Sequence, residues 1–184
     1  MDDLSRIRKK IRKDKRFQAI KSIYKTNPLF QMTIEEYRDE IRTMFKIRIF
    51  RTLNTKSPNV LNKLAEAIVQ DQSFRSRMTE ILSQLVLAKK SLNDMAERFF
   101  DYASTEYARD LKAIGAAKER SSFVRDVLSE YFTYCESLDN LMMEIEFYVK
   151  DIDKAGYSAK NLIEVVDMIT FREGGIPQPK RTRR

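Results

Sequence analysis

Residues 74–102 read FRSRMTEILSQLVLAKKSLNDMAERFFDY, and the spacing of their apolar side chains decides the fold class. Phe74, Met78, Ile81, Leu85, Ala88, Leu92, Met95, Phe99 and Tyr102 follow one another in alternating steps of four and three. Such steps line up along one stripe of an α-helix, whereas a strand would need period two. A second stripe is equally regular: Val124, Leu128, Tyr131, Cys135, Leu138, Met142, Ile145, Val149 and Ile152. Two long apolar stripes in one chain bury themselves by packing against each other antiparallel. The predicted class is therefore all-α: a long antiparallel helical hairpin or bundle, with a basic N-terminal helical extension.

On the N-terminal side of the hairpin, residues 2–26 read as one helix with Leu4, Ile7, Ile11, Phe17, Ile20 and Tyr24 inside. Asn27-Pro28 ends it, because proline disfavours helix in the residue before it. Thr33-Ile34-Glu35-Glu36 is a capping box opening a second helix over about 33–53. Its apolar positions are Ile34, Tyr37, Ile41 and Phe45; Ile47, Ile49 and Phe50 widen the stripe and predict burial on more than one side. Residues 54–57 make a loop, and Ser57-Pro58 supplies an N-cap and a first-turn proline for the first hairpin helix. The pattern relaxes near Ser104-Thr105, where a bend or short loop is expected, and Gly115 lies in a further helical stretch. Lys154-Ala155-Gly156 predicts a break or kink, after which Ser158 caps a last helix to about Arg172 and Gly174-Gly175 terminates it. The organisation is thus a basic helical extension over 1–56, a helical hairpin body over 57–175 and a basic, extended tail over 176–184.

Composition narrows the function. The chain has 184 residues, 42% hydrophobic and 34% charged, with 4 Gly, 4 Pro, no His and no Trp. So few turn formers mean long elements with few connections. One cysteine, Cys135, allows no intrachain disulfide and fits a reducing compartment. The polar, then basic start has no apolar signal region, and no stretch approaches 18 uncharged apolar residues, so a cytoplasmic protein without a membrane span is expected. Lack of imidazole removes the usual near-neutral general base, and with one thiol it excludes zinc sites of the Cys and His type. The glycines, Gly115, Gly156, Gly174 and Gly175, form no phosphate-cradling loop. The acidic residues read as solvent-facing helix positions without a liganding motif. The chain reads as a binding protein that uses no cofactor, not as an enzyme.

The net charge of +8 is unevenly spread. Residues 1–56 hold 16 basic and 7 acidic side chains, residues 57–176 hold 15 and 20, and residues 177–184 hold 4 and none. An acidic body with two basic ends points to an anionic partner contacted by the ends. Arg6, Arg8, Lys9, Lys10, Arg12, Lys13, Lys15 and Arg16 crowd the first helix against a single acidic neighbour, Asp14. A helix so charged is either a solvated face that serves solubility or one that meets an anion, phosphate or an anionic membrane surface; self-repulsion favours the anion, and a stripe with no Trp and little Leu favours phosphate over membrane. Lys180, Arg181, Arg183 and Arg184 form a C-terminal arm suited to DNA or RNA. Phe99 and Tyr102, on the stripe, read as core in preference to a base-stacking platform, while Phe100 beside it suits a groove or subunit contact. The segment 126–149 carries no Lys or Arg but has Asp126, Glu130, Glu136, Asp139, Glu144 and Glu146. It is either a solvated acidic face or a dock for a basic partner, including the basic segment of a neighbouring copy. Cys135 lies on the stripe and reads as a buried small hydrophobe.

Three stretches carry a family resemblance: LAEAIVQDQSFRSRMTEILSQLVLAKKSLNDMAERFFDY at 64–102, LKAIGAAKERSSFVRDVLSEYF at 111–132, and YVKDIDKAGYSAKNLIEVVDMITFREGG at 148–175. Together they resemble the UvsY family of phage recombination mediators. The third is the most specific, with Tyr157, Lys160, Phe171 and Gly174 at the family's aromatic, lysine, aromatic and glycine positions. The resemblance implies a ring-like homo-oligomer of about six or seven copies, whose weak phosphate contacts add through effective concentration. It implies binding of single-stranded DNA, displacement of ssDNA-binding protein and loading of a RecA-like recombinase, with no nucleotide or metal. Residues 57–175 would then be the oligomerisation and DNA-binding body. The family's basic residues before the aromatic pair fall nearest to Lys89, Lys90 and Arg98, with Asp94 and Glu97 interrupting the patch. Two other readings stand beside this one: a viral assembly or DNA-packaging subunit resembling small terminases, and a helical adaptor whose acidic face binds a basic protein.

Overall fold

The computed structural model describes residues 3–26, 33–53 and 59–173. The elements, in chain order, are α1 (Asp3–Lys13), α2 (Lys15–Thr26), α3 (Ile34–Lys46), a 3₁₀ turn at Ile49–Arg51, α4 (Val60–Glu106), α5 (Ala108–Leu111), a 3₁₀ turn at Lys112–Ile114, α6 (Ala117–Val127) and α7 (Ser129–Glu173). The fold is all-α, with no strand among the described residues. The chain forms two compact units, residues 1–38 with 81–144 and residues 39–80 with 145–184, so α3, α4 and α7 each contribute to both.

In the first unit the two apolar stripes meet. Ile81, Leu85, Ala88 and Leu92 of α4 and Cys135, Leu138 and Leu141 of α7 are buried. Lys89 is 2.5 Å from Asp139, while Phe99, further along α4, shares a core cluster with Leu128 and Tyr131. Partner numbers fall as those of α4 rise, so the packing is antiparallel. Leu141 takes the inner position expected of Met142, which is half-buried. A straight helix of 3.6 residues per turn drifts against a strict heptad, and the drift carries Leu141 inward. The stripe of α4 runs on through Ser104-Thr105 to Glu106, where no bend occurs. The turn comes later and is closed by Gly115, whose φ of +114° suits a residue without a Cβ.

Residues 2–26 form two helices where one was expected. The break is Asp14, whose short carboxylate competes for backbone N–H groups and so favours caps over helix interiors. Ile7, Ile11 and Phe17 nevertheless sit inside, packed with Phe99, Ala103, Tyr107 and Val124. Leu4 lies 40% exposed.

In the second unit, Ile41 and Met44 of α3 are buried with Leu64 and Ala67 of α4 and Ile152 and Ala159 of α7. The helix expected to reach residue 53 stops at Lys46, and Ile47, expected inside, is 57% exposed. Arg48 takes the buried place. Its guanidinium donates to both oxygens of Asp71, at 2.8 and 2.6 Å, and to Asp151 at 2.5 Å. Asp71 is itself only 4% exposed, against the expectation that acidic residues here face solvent. A buried guanidinium needs such a fork, and α3 ends where the chain must turn it inward. Phe45 lies against Tyr148 with ring centroids 4.5 Å apart. The break expected at Lys154–Gly156 does not occur: α7 runs through it, and the Ser158 hydroxyl donates back to the Lys154 carbonyl at 3.1 Å instead of capping a new helix. A single glycine costs a helix interior only about 1 kcal/mol, less than the surrounding turns supply. Ser57-Pro58, Asn27-Pro28 and Gly174-Gly175 lie outside the described residues.

Candidate nucleic-acid interface

The site grows from the break at Asp14. The Asp14 carbonyl accepts the Gln18 N–H at 2.9 Å and opens α2, and one carboxylate oxygen accepts the Arg16 N–H at 2.7 Å as its cap. The other oxygen accepts the Tyr102 hydroxyl at 3.1 Å and also the Tyr107 hydroxyl. One carboxylate thus fixes α1 and α2 to the aromatic end of α4. The Tyr107 bond is the main cause that holds the Asp14 carboxyl below its usual range, against an opposing contribution from burial. Burial, then the bond to Asp14, pushes the Tyr107 phenol well above its usual range, and Tyr102 shifts the same way for the same reasons.

With α1 and α2 seated, their cations fall into two groups. Arg8 is paired with Asp126 and stands over the Phe123 ring. Lys10 is 2.5 Å from Asp110 and above the Tyr107 ring. Arg6 also has an interaction partner. By contrast Lys9, Arg12, Lys13, Lys15 and Arg16 are exposed, and among the described residues none of them has a carboxylate partner. Arg16 instead stacks on Tyr102, its guanidinium carbon 4.6 Å from the ring centroid.

The three cations predicted on α4 separate in the same way. Lys89 is half-buried in its ion pair with Asp139. Its charge is neutralised within the hairpin, because Asp139 lies across the antiparallel seam. Lys90 is exposed, with no carboxylate partner among the described residues. Arg98 is exposed and faces α2, where it and Arg16 flank an apolar cleft of about 340 Å³ lined by Ile23, Met95, Phe99 and Tyr102. The structure therefore joins Arg16 and Arg98 at one place, leaves Lys9, Arg12, Lys13 and Lys15 exposed on α1 and α2, and holds Arg8, Lys10 and Lys89 in ion pairs. Lys180, Arg181, Arg183 and Arg184 lie outside the described residues.

Pattern reading missed two residues here. Ile23 lies off the apolar stripe of α2, and its place in the cleft depends on the break at Asp14. Tyr102, expected in the core, is half-buried, with its hydroxyl on Asp14 and the Arg16 guanidinium over its ring. Phe100, expected at a groove or subunit contact, packs half-buried against the core with Arg125 over its ring. The acidic segment is partly used within the chain: Asp126 takes Arg8, Asp139 takes Lys89 and Glu144 takes Arg38. Glu130 and Glu136 remain exposed without an ion-pair partner among the described residues. Cys135 is buried as expected, and that burial raises its thiol pKa. No cluster of metal-ligating side chains occurs among the described residues, and no described helix is long and apolar enough to cross a membrane.

No family model, curated protein or solved structure matches the chain. The case for function therefore rests on the site itself.

Proposed function

We propose that the protein is a single-stranded-DNA-binding recombination mediator, which helps a RecA-like recombinase load onto strands covered by ssDNA-binding protein. The observation that carries the proposal is the set of exposed cations on α1 and α2 that have no carboxylate partner among the described residues, together with an apolar cleft flanked by Arg16 and Arg98. Unpaired cations take up phosphates and release counterions, and an adjoining apolar, aromatic surface takes up bases that a duplex would hide. Among the described residues no side chains arranged to read base edges accompany them, so the reading expects binding independent of sequence. Self-association into a ring fits the apolar side chains that α7 leaves exposed, among them Phe147, Tyr157, Val165 and Met168. A ring multiplies weak contacts through effective concentration.

The test is fluorescence anisotropy with matched single-stranded and duplex oligonucleotides over a salt series. Tighter binding of single strands, weakening steeply with salt, is the expected result, and recombinase-loading assays then follow. Equal or tighter binding of duplex transfers the case to a DNA-packaging subunit. Absence of binding to either at low salt removes nucleic acid as the ligand.

A further inference from the structure

The cleft between α2 and α4 combines features that suit one ligand chemistry. We propose that it holds a single nucleobase of a bound DNA strand, with the adjoining phosphate held between Arg16 and Arg98. This rests on the reading of the protein as a single-strand binder and adds the place where a base is taken up. The cleft, at about 340 Å³, is at the small end of ligand pockets. Ile23, Met95, Phe99 and Tyr102 give it apolar and aromatic walls, and among the described residues its charged lining is the two arginines.

Neither guanidinium has a carboxylate partner among the described residues. A purely apolar occupant would take water from both and return no bond. An acidic peptide would satisfy the arginines but set its carboxylates against aromatic walls. A nucleotide meets both requirements: a flat π face for the rings and a phosphate in fork geometry for the guanidiniums. Lys13 and Lys15, exposed on either side of Asp14 in the sequence, add further cations on the helices next to Arg16 in the chain.

The experiment compares the full-length protein's affinity for oligo(dT) with that for a strand of equal length and charge built from abasic units. The nucleobase proposal expects the abasic strand to bind about ten-fold more weakly, the size of a stacking contribution. It also expects a 5-iodouracil strand to photocrosslink to the peptide containing Met95, Phe99 and Tyr102. Arg98→Gln, a surface change, should weaken oligo(dT) binding several-fold with an unchanged circular dichroism spectrum. Equal affinity for the abasic strand, or crosslinks confined to other peptides, overturns the proposal while leaving DNA binding intact. Failure of both strands to bind at low salt overturns it together with the reading on which it rests.

Discussion

Asp14 accepts bonds from two tyrosine hydroxyls and a backbone amide, and that concentration makes it sensitive to pH. Its folded pKa is lowered, so its contribution to stability is present above the ordinary carboxylate value of about 4 and is lost as pH falls through the folded value. Tyr102 and Tyr107 shift upward, so their contribution holds below about 10 and is lost as pH rises through their raised values. Urea unfolding across pH should show both slopes, and Asp14→Asn should flatten the acid one. Two glycines give opposite expectations. At Gly115 a Cβ would meet Glu119 Oε2, and φ is +114°, so Gly115→Ala should cost about 1–3 kcal/mol. At Gly156, inside α7, a Cβ would meet nothing within 4 Å, so Gly156→Ala should stabilise by about 0.5–1 kcal/mol. Thermal denaturation of the two variants checks both signs. Asp71→Ala should cost about 3 kcal/mol, because it leaves the Arg48 guanidinium buried with only the half-exposed Asp151.

At the scale of elements, the basic helices divide into residues that hold structure and residues that face outward. Charge-removing changes (Lys or Arg to Gln) at Lys9, Arg12, Lys13 and Lys15 should lower affinity for single strands and reduce the salt slope, by about 0.7 for each phosphate no longer neutralised. Helix content should stay unchanged. Arg8 and Lys10 should behave differently, with a stability loss of about 0–1 kcal/mol and little change in slope, since their charges are already matched. Salt-dependent anisotropy beside chemical denaturation separates the two groups. Most positions of the two heptad stripes were legible in the sequence, because long apolar periodicity survives most local perturbation, although Leu141 displaces Met142 and Tyr102 is half-buried. The breaks were not. Gly156 and the relaxed pattern near Ser104-Thr105 suggested breaks that the helices run through, while Asp14 read as a lone countercharge. Its cap is a local bond from the Arg16 N–H, but its anchoring by Tyr102 and Tyr107 joins residues far apart in the chain.

At the scale of the molecule, the sequence conveyed an all-α chain with an acidic body and a basic N-terminus, since composition and periodicity are properties of the whole. It could not convey which cations are neutralised. That depends on side chains brought across the fold, Asp126 to Arg8 and Asp110 to Lys10, at sequence distances where pattern carries no information. The buried Arg48–Asp71 pair was hidden for the same reason, because charge alone predicts exposure. The division at Asp14 has a consequence for motion as well. It leaves helices of 11 and 12 residues, at or below the length at which a helix persists alone in water, and both carry mutually repelling charge. Their helicity therefore depends on being seated against the rest of their unit. Backbone amides of residues 3–26 should exchange with deuterium as one cooperative block, and Tyr107→Phe should speed the whole block together, leaving the amides of the hairpin seam protected.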